Sequence, residues 1–313
     1  MKAMVYSKKS APPVMQLTEI DKPVPASGQV LVRIHSVSLN AADYRSMQMG
    51  IGPKSGIFGA DIAGRVEALG PDTKKFQVGD AVFGDLSVHD FGGLAEYVAA
   101  PETLLAAKPE TVSFEQAAAV PMASLTALQG LRDKGRIQSG HQVLIVGASG
   151  GVGLFAIQLA KEFGAHVTAV CSTRKAELAA SLGADTVIDY TRTPLTTIQG
   201  NFNTILAVNG NYPLLTYRKL LAPGGTCVMI GGALSQIARI FLLGPLLSIG
   251  KRKLCMLAAK ASAEDLAFVM KLVEEGRVRP VIDRRYSLTQ AAEAYEYIKA
   301  GHSAGKVVVN VIP

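Results

Sequence analysis

The chain has 313 residues, 49% hydrophobic and 18% charged, which is enough apolar material for two packed domains. Lys+Arg 32 against Asp+Glu 25 gives a formal net charge of +7, but the longest basic cluster is Lys251-Arg252-Lys253 and Trp is absent. No basic run interleaves with aromatics, so nucleic acid is not a required partner, and a mildly basic surface suits an anionic ligand instead.

From Met1 to about Ala117 the pattern is one of short alternating strands. Val30-Leu-Val-Arg-Ile-His35 and Ala63-Gly-Arg-Val-Glu-Ala-Leu69 are examples, punctuated by Pro23, Pro25, Pro53, Pro71 and Pro101. This predicts a β-rich domain of barrel type. After Pro121 the rhythm changes to strand and helix in alternation. Strands are predicted at 142–146, 166–170, 186–189, 203–208, 225–230 and 253–258, and helices near 124–134, 152–163, 174–182 and 212–221. Such βα units predict a doubly wound parallel sheet, the α/β fold of Rossmann type. A further helix, Ala263 to Glu275, leads to a last strand, Lys306-Val-Val-Val-Asn310, expected to rejoin the first domain.

The segment Gln142-Val-Leu-Ile-Val-Gly-Ala-Ser-Gly-Gly-Val-Gly-Leu-Phe-Ala-Ile-Gln-Leu-Ala160 carries the most chemistry. An apolar strand runs into glycines 147, 150, 151 and 153, and a helix-period pattern follows at once. A helix N-terminus reached through such a turn offers N–H groups and a positive dipole end to a pyrophosphate. The strand before and the helix after are the context a dinucleotide fingerprint requires. In NAD enzymes an acid about 20 residues on binds the ribose 2′-hydroxyl. Here the second strand ends at Cys171, followed by Ser172-Thr-Arg-Lys175. Two cations and two hydroxyls suit a 2′-phosphate, and the missing acid points the same way, so NADPH is the expected cofactor.

The cysteines, Cys171, Cys227 and Cys255, are far apart with no Cys-x-x-Cys, which predicts a reduced intracellular chain with neither disulfides nor a cysteine zinc site. Met1 enters a strand directly, so no signal peptide is expected. The apolar stretch Ile237 to Ile249 is shorter than about 18 residues and is broken by Gly244-Pro245, which argues against a transmembrane segment and for a cytoplasmic protein. With the basic triplet behind it this stretch could lie on an anionic membrane; burial as a cleft lid or a subunit contact is the favoured expectation.

Taken together, Ser38-Leu-Asn-Ala-Ala-Asp43, Gly59-Ala-Asp-Ile-Ala-Gly64, Gly79-Asp-Ala-Val-Phe-Gly84, Gly92-Gly-Leu-Ala-Glu-Tyr97, Pro121-Met-Ala-Ser-Leu-Thr-Ala-Leu128, the glycine turn, Leu182-Gly-Ala-Asp-Thr-Val-Ile-Asp-Tyr190 and Gly305-Lys306 resemble the zinc-free branch of the medium-chain dehydrogenase/reductases. Quinone oxidoreductases and NADPH alkenal/enone reductases belong there, and the chain resembles the plant chloroplast-envelope type in its Cys-x-x-Arg after the second strand. The resemblance implies a GroES-like catalytic domain from 1–117 and 281–313, a Rossmann domain from 118–280, and a homodimer. The zinc-dependent relatives need a Cys, the His of a Gly-His-Glu and a further ligand. Here Asn40 to Asp43 lack a cysteine and Ala60 stands at the His position, so no zinc site is expected.

Without a Lewis acid the acceptor must already be electrophilic, such as a quinone or an α,β-unsaturated carbonyl. The resemblance puts Asn40-Ala-Ala-Asp-Tyr-Arg45 beside the substrate cleft, making Asn40 and Tyr44 the candidate hydrogen-bond donors to the acceptor oxygen. For the cofactor it implies Ser149, Gly150, Gly151 and Val152 at the pyrophosphate and Ser172, Arg174 and Lys175 at the 2′-phosphate. Tyr190 and Asn209 would border the adenosine. Gly231, Gly232 and Thr126 would lie by the nicotinamide half, with Lys306 facing the cleft. Alternatives are an enoyl-thioester reductase and a non-catalytic NADPH-binding protein that keeps the fold without turnover.

Overall fold

The structure is a computed structural model and describes residues 1–7, 14–248 and 250–312. By its contacts the chain divides into one unit of Met1–Ala123, Ala261–Gly276 and Pro280–Pro313, and a second of Ser124–Lys260 and Arg277–Arg279.

The first unit opens with the antiparallel pair β1 (Lys2–Ser7) and β2 (Val14–Glu19). The long β3 (Gln29–Leu39) follows, then a helix at Ala41–Gln48, β4 (Asp61–Leu69), β5 (Ala81–Asp85), β6 (Tyr97–Pro101) and β7 (Leu105–Ala107). β3 pairs antiparallel with both β4 and β6. Its ladder with β4 shifts register between Leu31 and Val32 and again between Ile34 and Ser36. Such bulges bend a strand and raise its twist, which lets a sheet curl around its own core. Val30, Val32, Ile34 and Val37 of β3 meet Ile62 and Val66 of β4 and Leu94 in that core. Gly64 permits a close approach of β3 and β4, since a Cβ there would lie 2.1 Å from the Arg33 carbonyl oxygen.

The second unit is built on β8 (Gln142–Val146), β9 (His166–Cys171), β10 (Thr186–Asp189), β11 (Phe202–Val208), β12 (Leu221–Ile230) and β13 (Lys253–Met256), all parallel in the order β10-β9-β8-β11-β12-β13. β8, β9 and β11 read as nearly continuous apolar runs because parallel strands are covered on both faces. Between β8 and β11 the winding reverses, and ligands of open α/β sheets bind outside the strand carboxyl ends at such a switch point.

The chain then makes a helix at Ala263–Glu274, capped by the Ser262 hydroxyl accepting from the Asp265 N–H at 3.2 Å. β14 (Ile282–Ser287), a helix at Ala291–Lys299 and β15 (Lys306–Asn310) complete it, with β15 antiparallel to β3 in the first unit. The Ala263–Glu274 helix, expected inside the 118–280 domain, groups with the first unit, where it packs on β7.

Several predicted bounds need correction. The helix expected at 124–134 starts at Pro121, whose ring suits a first helical turn, and its end widens into a π-turn at Gly130–Lys134. β12 begins at Leu221, ahead of Pro223-Gly224-Gly225, which as turn formers had suggested a later start. The apolar stretch expected as a cleft lid or a subunit contact forms the Leu234–Leu247 helix, and in the single chain Phe241 is 68% exposed, Leu242 74% and Leu246 63%. Ile249, at the end of that stretch, lies outside the described residues. Among the described residues no helix is long and apolar enough to cross a membrane.

Candidate active site

At the switch point Gly147 ends β8 with φ +76°, and a Cβ there would meet the Val208 carbonyl oxygen of β11 at 2.3 Å. Only glycine fits, because the turn needs both a left-handed backbone and contact with the neighbouring strand. Gly153 is equally closed, 2.4 Å from the Gly147 carbonyl oxygen, whereas a Cβ at Gly150 would have nothing closer than that oxygen at 3.8 Å. The Gly151–Glu162 helix starts at Gly150 with no side-chain cap. Its first-turn N–H groups thus lack the side-chain oxygen that most helices place there. Ser149, Gly150, Gly151 and Val152, the expected pyrophosphate residues, form this turn, with Ser149 only 9% exposed. The closed glycines and the uncapped N-terminus fit a dinucleotide phosphate.

At the end of β9, Ser172 starts the short Thr173–Lys175 turn; Arg174 is exposed and Lys175 half-buried. Asp189, which ends β10, stands in register with Cys171 and is an acid that could oppose a 2′-phosphate. Its carboxylate is already engaged. The Thr173 hydroxyl donates to it, the Thr191 N–H donates at 2.9 Å and the Thr191 hydroxyl at 2.7 Å, and Arg192 lies 3.6 Å away. These contacts hold its carboxyl below the ordinary range, the Thr173 hydroxyl contributing most. Tyr190 is half exposed beside it. Asn209 turns out of β11 at φ +53°, its N–H donating to the Ile230 carbonyl at 2.8 Å. Gly231 and Gly232, at φ +62° and +116°, carry the chain out of β12. Thr126 is buried in the Pro121–Gln129 helix.

Within the first unit, Asn40 and Lys306 meet although 266 positions separate them. Lys306 Nζ donates to Asn40 Oδ1 at 2.5 Å and to Asp61 Oδ2 at 3.3 Å. The Asn40 amide nitrogen donates to Asp61 Oδ2 at 2.9 Å and to the Ser38 carbonyl at 3.4 Å. Opposite charges on either side thereby fix which way the amide points. Asn40 also precedes the Ala41–Gln48 helix, and Asp43 Oδ2 accepts its backbone N–H at 2.8 Å while Oδ1 accepts that of Gly59 at 3.1 Å. Asp61 Oδ1 accepts the Met122 N–H at 3.0 Å. Tyr44 packs half-buried against the core of this unit, with the Arg45 guanidinium 5.9 Å from its ring.

Sequence reasoning put Asn40, Tyr44 and Lys306 on the candidate list but missed Asp61 and Asp85. Asp61 is wholly buried and Asp85 only 4% exposed; they are directly opposite in the β4–β5 ladder. Burial pushes Asp61 up to about 7 against the pull of Lys306 and the Asn40 and Met122 hydrogen bonds, and Asp85 raises it further. Burial likewise pushes Asp43 up to about 6 and raises Asp85. An Asp inside the apolar run Phe58-Gly-Ala-Asp-Ile-Ala63 was the available signal, since a carboxylate in a buried strand needs a partner.

A glycine-lined switch point on a six-stranded parallel sheet in one unit, and a curled, mostly antiparallel sheet with a buried polar cluster in the other, are the parts of a two-domain dinucleotide oxidoreductase. Residues 26–110 match the alcohol dehydrogenase GroES-like domain and residues 182–309 the zinc-binding dehydrogenase domain. The chain belongs to the medium-chain dehydrogenase/reductase family. It is 34% identical over 310 residues to a chloroplast envelope quinone oxidoreductase homolog of Arabidopsis thaliana, covering 94% of this chain and 93% of that one. An NADPH-dependent alkenal/one oxidoreductase, chloroplastic, of the same plant is 33% identical over all of this chain and 80% of its own. Among solved structures, the quinone oxidoreductase from Coxiella burnetii superposes with a TM-score of 0.86 at 29% identity, covering 99% of this chain and 98% of that one.

Proposed function

We infer that this chain is an NADPH-dependent reductase that passes hydride to quinones or α,β-unsaturated carbonyl compounds without zinc. One observation carries the cofactor half. The uncapped helix N-terminus at Gly151, for a pyrophosphate, belongs to the same sheet as the Ser172-Thr-Arg-Lys175 turn, for a 2′-phosphate. The relatives named for quinones and alkenals supply the acceptor class. Bound NADPH supplies the hydride; the protein's task is orientation, polar stabilisation and exclusion of water.

In this reading Ser149, Gly150, Gly151 and Val152 hold the pyrophosphate, and Ser172, Arg174 and Lys175 the 2′-phosphate. Tyr190 and Asn209 flank the adenosine, while Gly231, Gly232 and Thr126 serve the nicotinamide half. Tyr44 acts on the acceptor, and Asn40 serves it through a neighbour. Both N–H groups of the Asn40 amide donate inside the protein, to Asp61 and Ser38, so Asn40 acts by holding the Lys306 ammonium. Lys306, expected at the cofactor, directs two of its three N–H groups to Asn40 and Asp61. Zinc independence is supported by Ala60 and by the absence, among the described residues, of any group of three or more His, Cys, Asp or Glu arranged to hold a metal.

A homodimer is part of the proposal. β13 is the edge of its sheet, and the helix packed against it exposes Phe241, Leu242 and Leu246. The three free cysteines suit a reducing compartment such as the cytoplasm. A screen of quinones, enals and enones, read as NADPH oxidation, tests the function. Sedimentation of the protein tests the dimer, with a monomer at micromolar concentration counting against it.

A further inference from the structure

Asp43, Asp61 and Asp85 are all buried, and the only buried cation near them among the described residues is Lys306, itself 4% exposed. Fully ionised, the group would hold two uncompensated negative charges in a dry interior. Like charges facing each other across a sheet are destabilising, and buried charge without a partner is avoided by taking up a proton. Asp61 and Asp85 are in register on β4 and β5, and the negative charge of Asp85 makes ionisation of Asp61 harder, which favours retention of a proton.

Reduction of a quinone or an enone consumes one proton with each hydride, and nothing described so far delivers it. We propose that Asp61, Asp85 and Lys306 are the proton store of the reaction, holding one exchangeable proton at neutral pH and delivering it to the acceptor through Lys306 Nζ. The proposal rests on the reductase reading above and names its proton donor.

The steps balance. As hydride forms the new bond on the acceptor, negative charge develops on the acceptor oxygen or on the carbon conjugated to it. A Lys306 N–H bond breaks toward that atom, leaving its electron pair on Nζ. The Asp61 O–H then breaks toward Nζ, 3.3 Å from Oδ2, restoring the ammonium beside a carboxylate. A proton taken from bulk solution reloads the carboxyl before the next turnover, so each cycle consumes one solvent proton. Asn40 is a positioning residue, because its Oδ1 accepts from Nζ at 2.5 Å and its amide donates to Asp61 at 2.9 Å. Other titratable groups around Asp61 are Asp43 from the Ala41–Gln48 helix and Asp85 from β5; Tyr295, from the Ala291–Lys299 helix, faces Asp43. Burial raises all three carboxyls, Asp61 to about 7, so the store is loaded in acid and neutral solution and empties as pH rises.

Lys306→Arg separates a proton donor from a structural cation. Arginine keeps the charge and the hydrogen bonds but does not give up a proton in a protein. With NADPH affinity and melting temperature as controls, kcat for the acceptor should fall by roughly a hundredfold or more, in the range for loss of a general acid. Wild-type kcat in the folded variant would overturn the proposal. Infrared titration of the wild-type protein without cofactor gives an independent reading, which no failed variant or missing substrate can obscure. The C=O stretch of a protonated carboxyl should persist at pH 7, disappear with rising pH and weaken in Asp61→Asn. Complete ionisation by pH 6 would refute the store, while its presence in a protein that reduces no quinone, enal or enone would refute the reductase reading instead.

Discussion

Gly147 closes the turn after β8 directly against Val208, the last residue of β11: a Cβ at Gly147 would lie 2.3 Å from the Val208 carbonyl oxygen. The contact joins the two strands between which the sheet reverses its winding, and it shapes the turn proposed to hold the pyrophosphate.

Gly147→Ala should therefore damage fold and cofactor site together. The left-handed backbone alone costs an alanine about 1–2 kcal/mol, and the clash adds to it. Melting temperature and NADPH affinity should both fall, whereas Gly150→Ala, whose Cβ would meet nothing closer than 3.8 Å, should leave the fold intact. Equal stability of Gly147→Ala and wild type would show that the switch point tolerates a side chain.

Cofactor preference should follow the charge after β9. Arg174→Ala with Lys175→Ala removes charge-assisted contacts worth about 1.5–3 kcal/mol each. NADPH affinity, read by fluorescence titration, should drop far more than NADH affinity. Asp189, held ionised by Thr173 and Thr191, should then disfavour NADPH further. Equal losses for both cofactors would remove the 2′-phosphate from Arg174 and Lys175.

The buried carboxyls make stability fall as pH rises. Asp61 at about 7 and Asp43 at about 6 lie above the ordinary 3.8, so between these limits the folded chain binds more protons than the unfolded one. Their contribution is complete below pH 4 and is lost as pH climbs through 6 to 7. Glu115 and Asp185, held below the ordinary range by hydrogen bonds and ion pairs, act with the opposite sign at more acid pH. Denaturation midpoints should decline between pH 5 and 8 in the wild type and flatten in Asp61→Asn. An unchanged slope would mean that Asp61 is ionised throughout.

The glycine turn, the order of elements and Lys306–Asn310 were legible in the sequence because each is local. A strand, a positive-φ glycine and an amphipathic helix announce themselves within about 20 residues. The Lys306–Asp61–Asn40 contacts were not legible, since pairing β15 to β3 and β3 to β4 brings together positions up to 266 apart. Asn40 came from the family resemblance of its segment, but its amide hydrogens go to Asp61 and Ser38, which no spacing reveals. For the Leu234–Leu247 helix, apolar composition predicts that a face is covered but not by what; Phe241 and Leu242 are exposed in the single chain, so the cover is not supplied by the described residues.

Metal should have no effect on this protein. Prolonged chelation should leave turnover and melting temperature unchanged, and elemental analysis should find no stoichiometric zinc. One tightly held zinc per chain would contradict the inference drawn from Ala60 and from Asn40 to Asp43.

The most direct test of the central claim follows the hydride. NADPH deuterated at the transferring position of the nicotinamide is mixed with the protein and an α,β-unsaturated aldehyde or ketone, and the product is examined by mass spectrometry, with quinones assayed in parallel by NADPH consumption. The expected result is stoichiometric NADPH oxidation with one deuterium on the β-carbon of the saturated product. A protein that binds NADPH but oxidises it with no quinone, enal or enone would contradict the account.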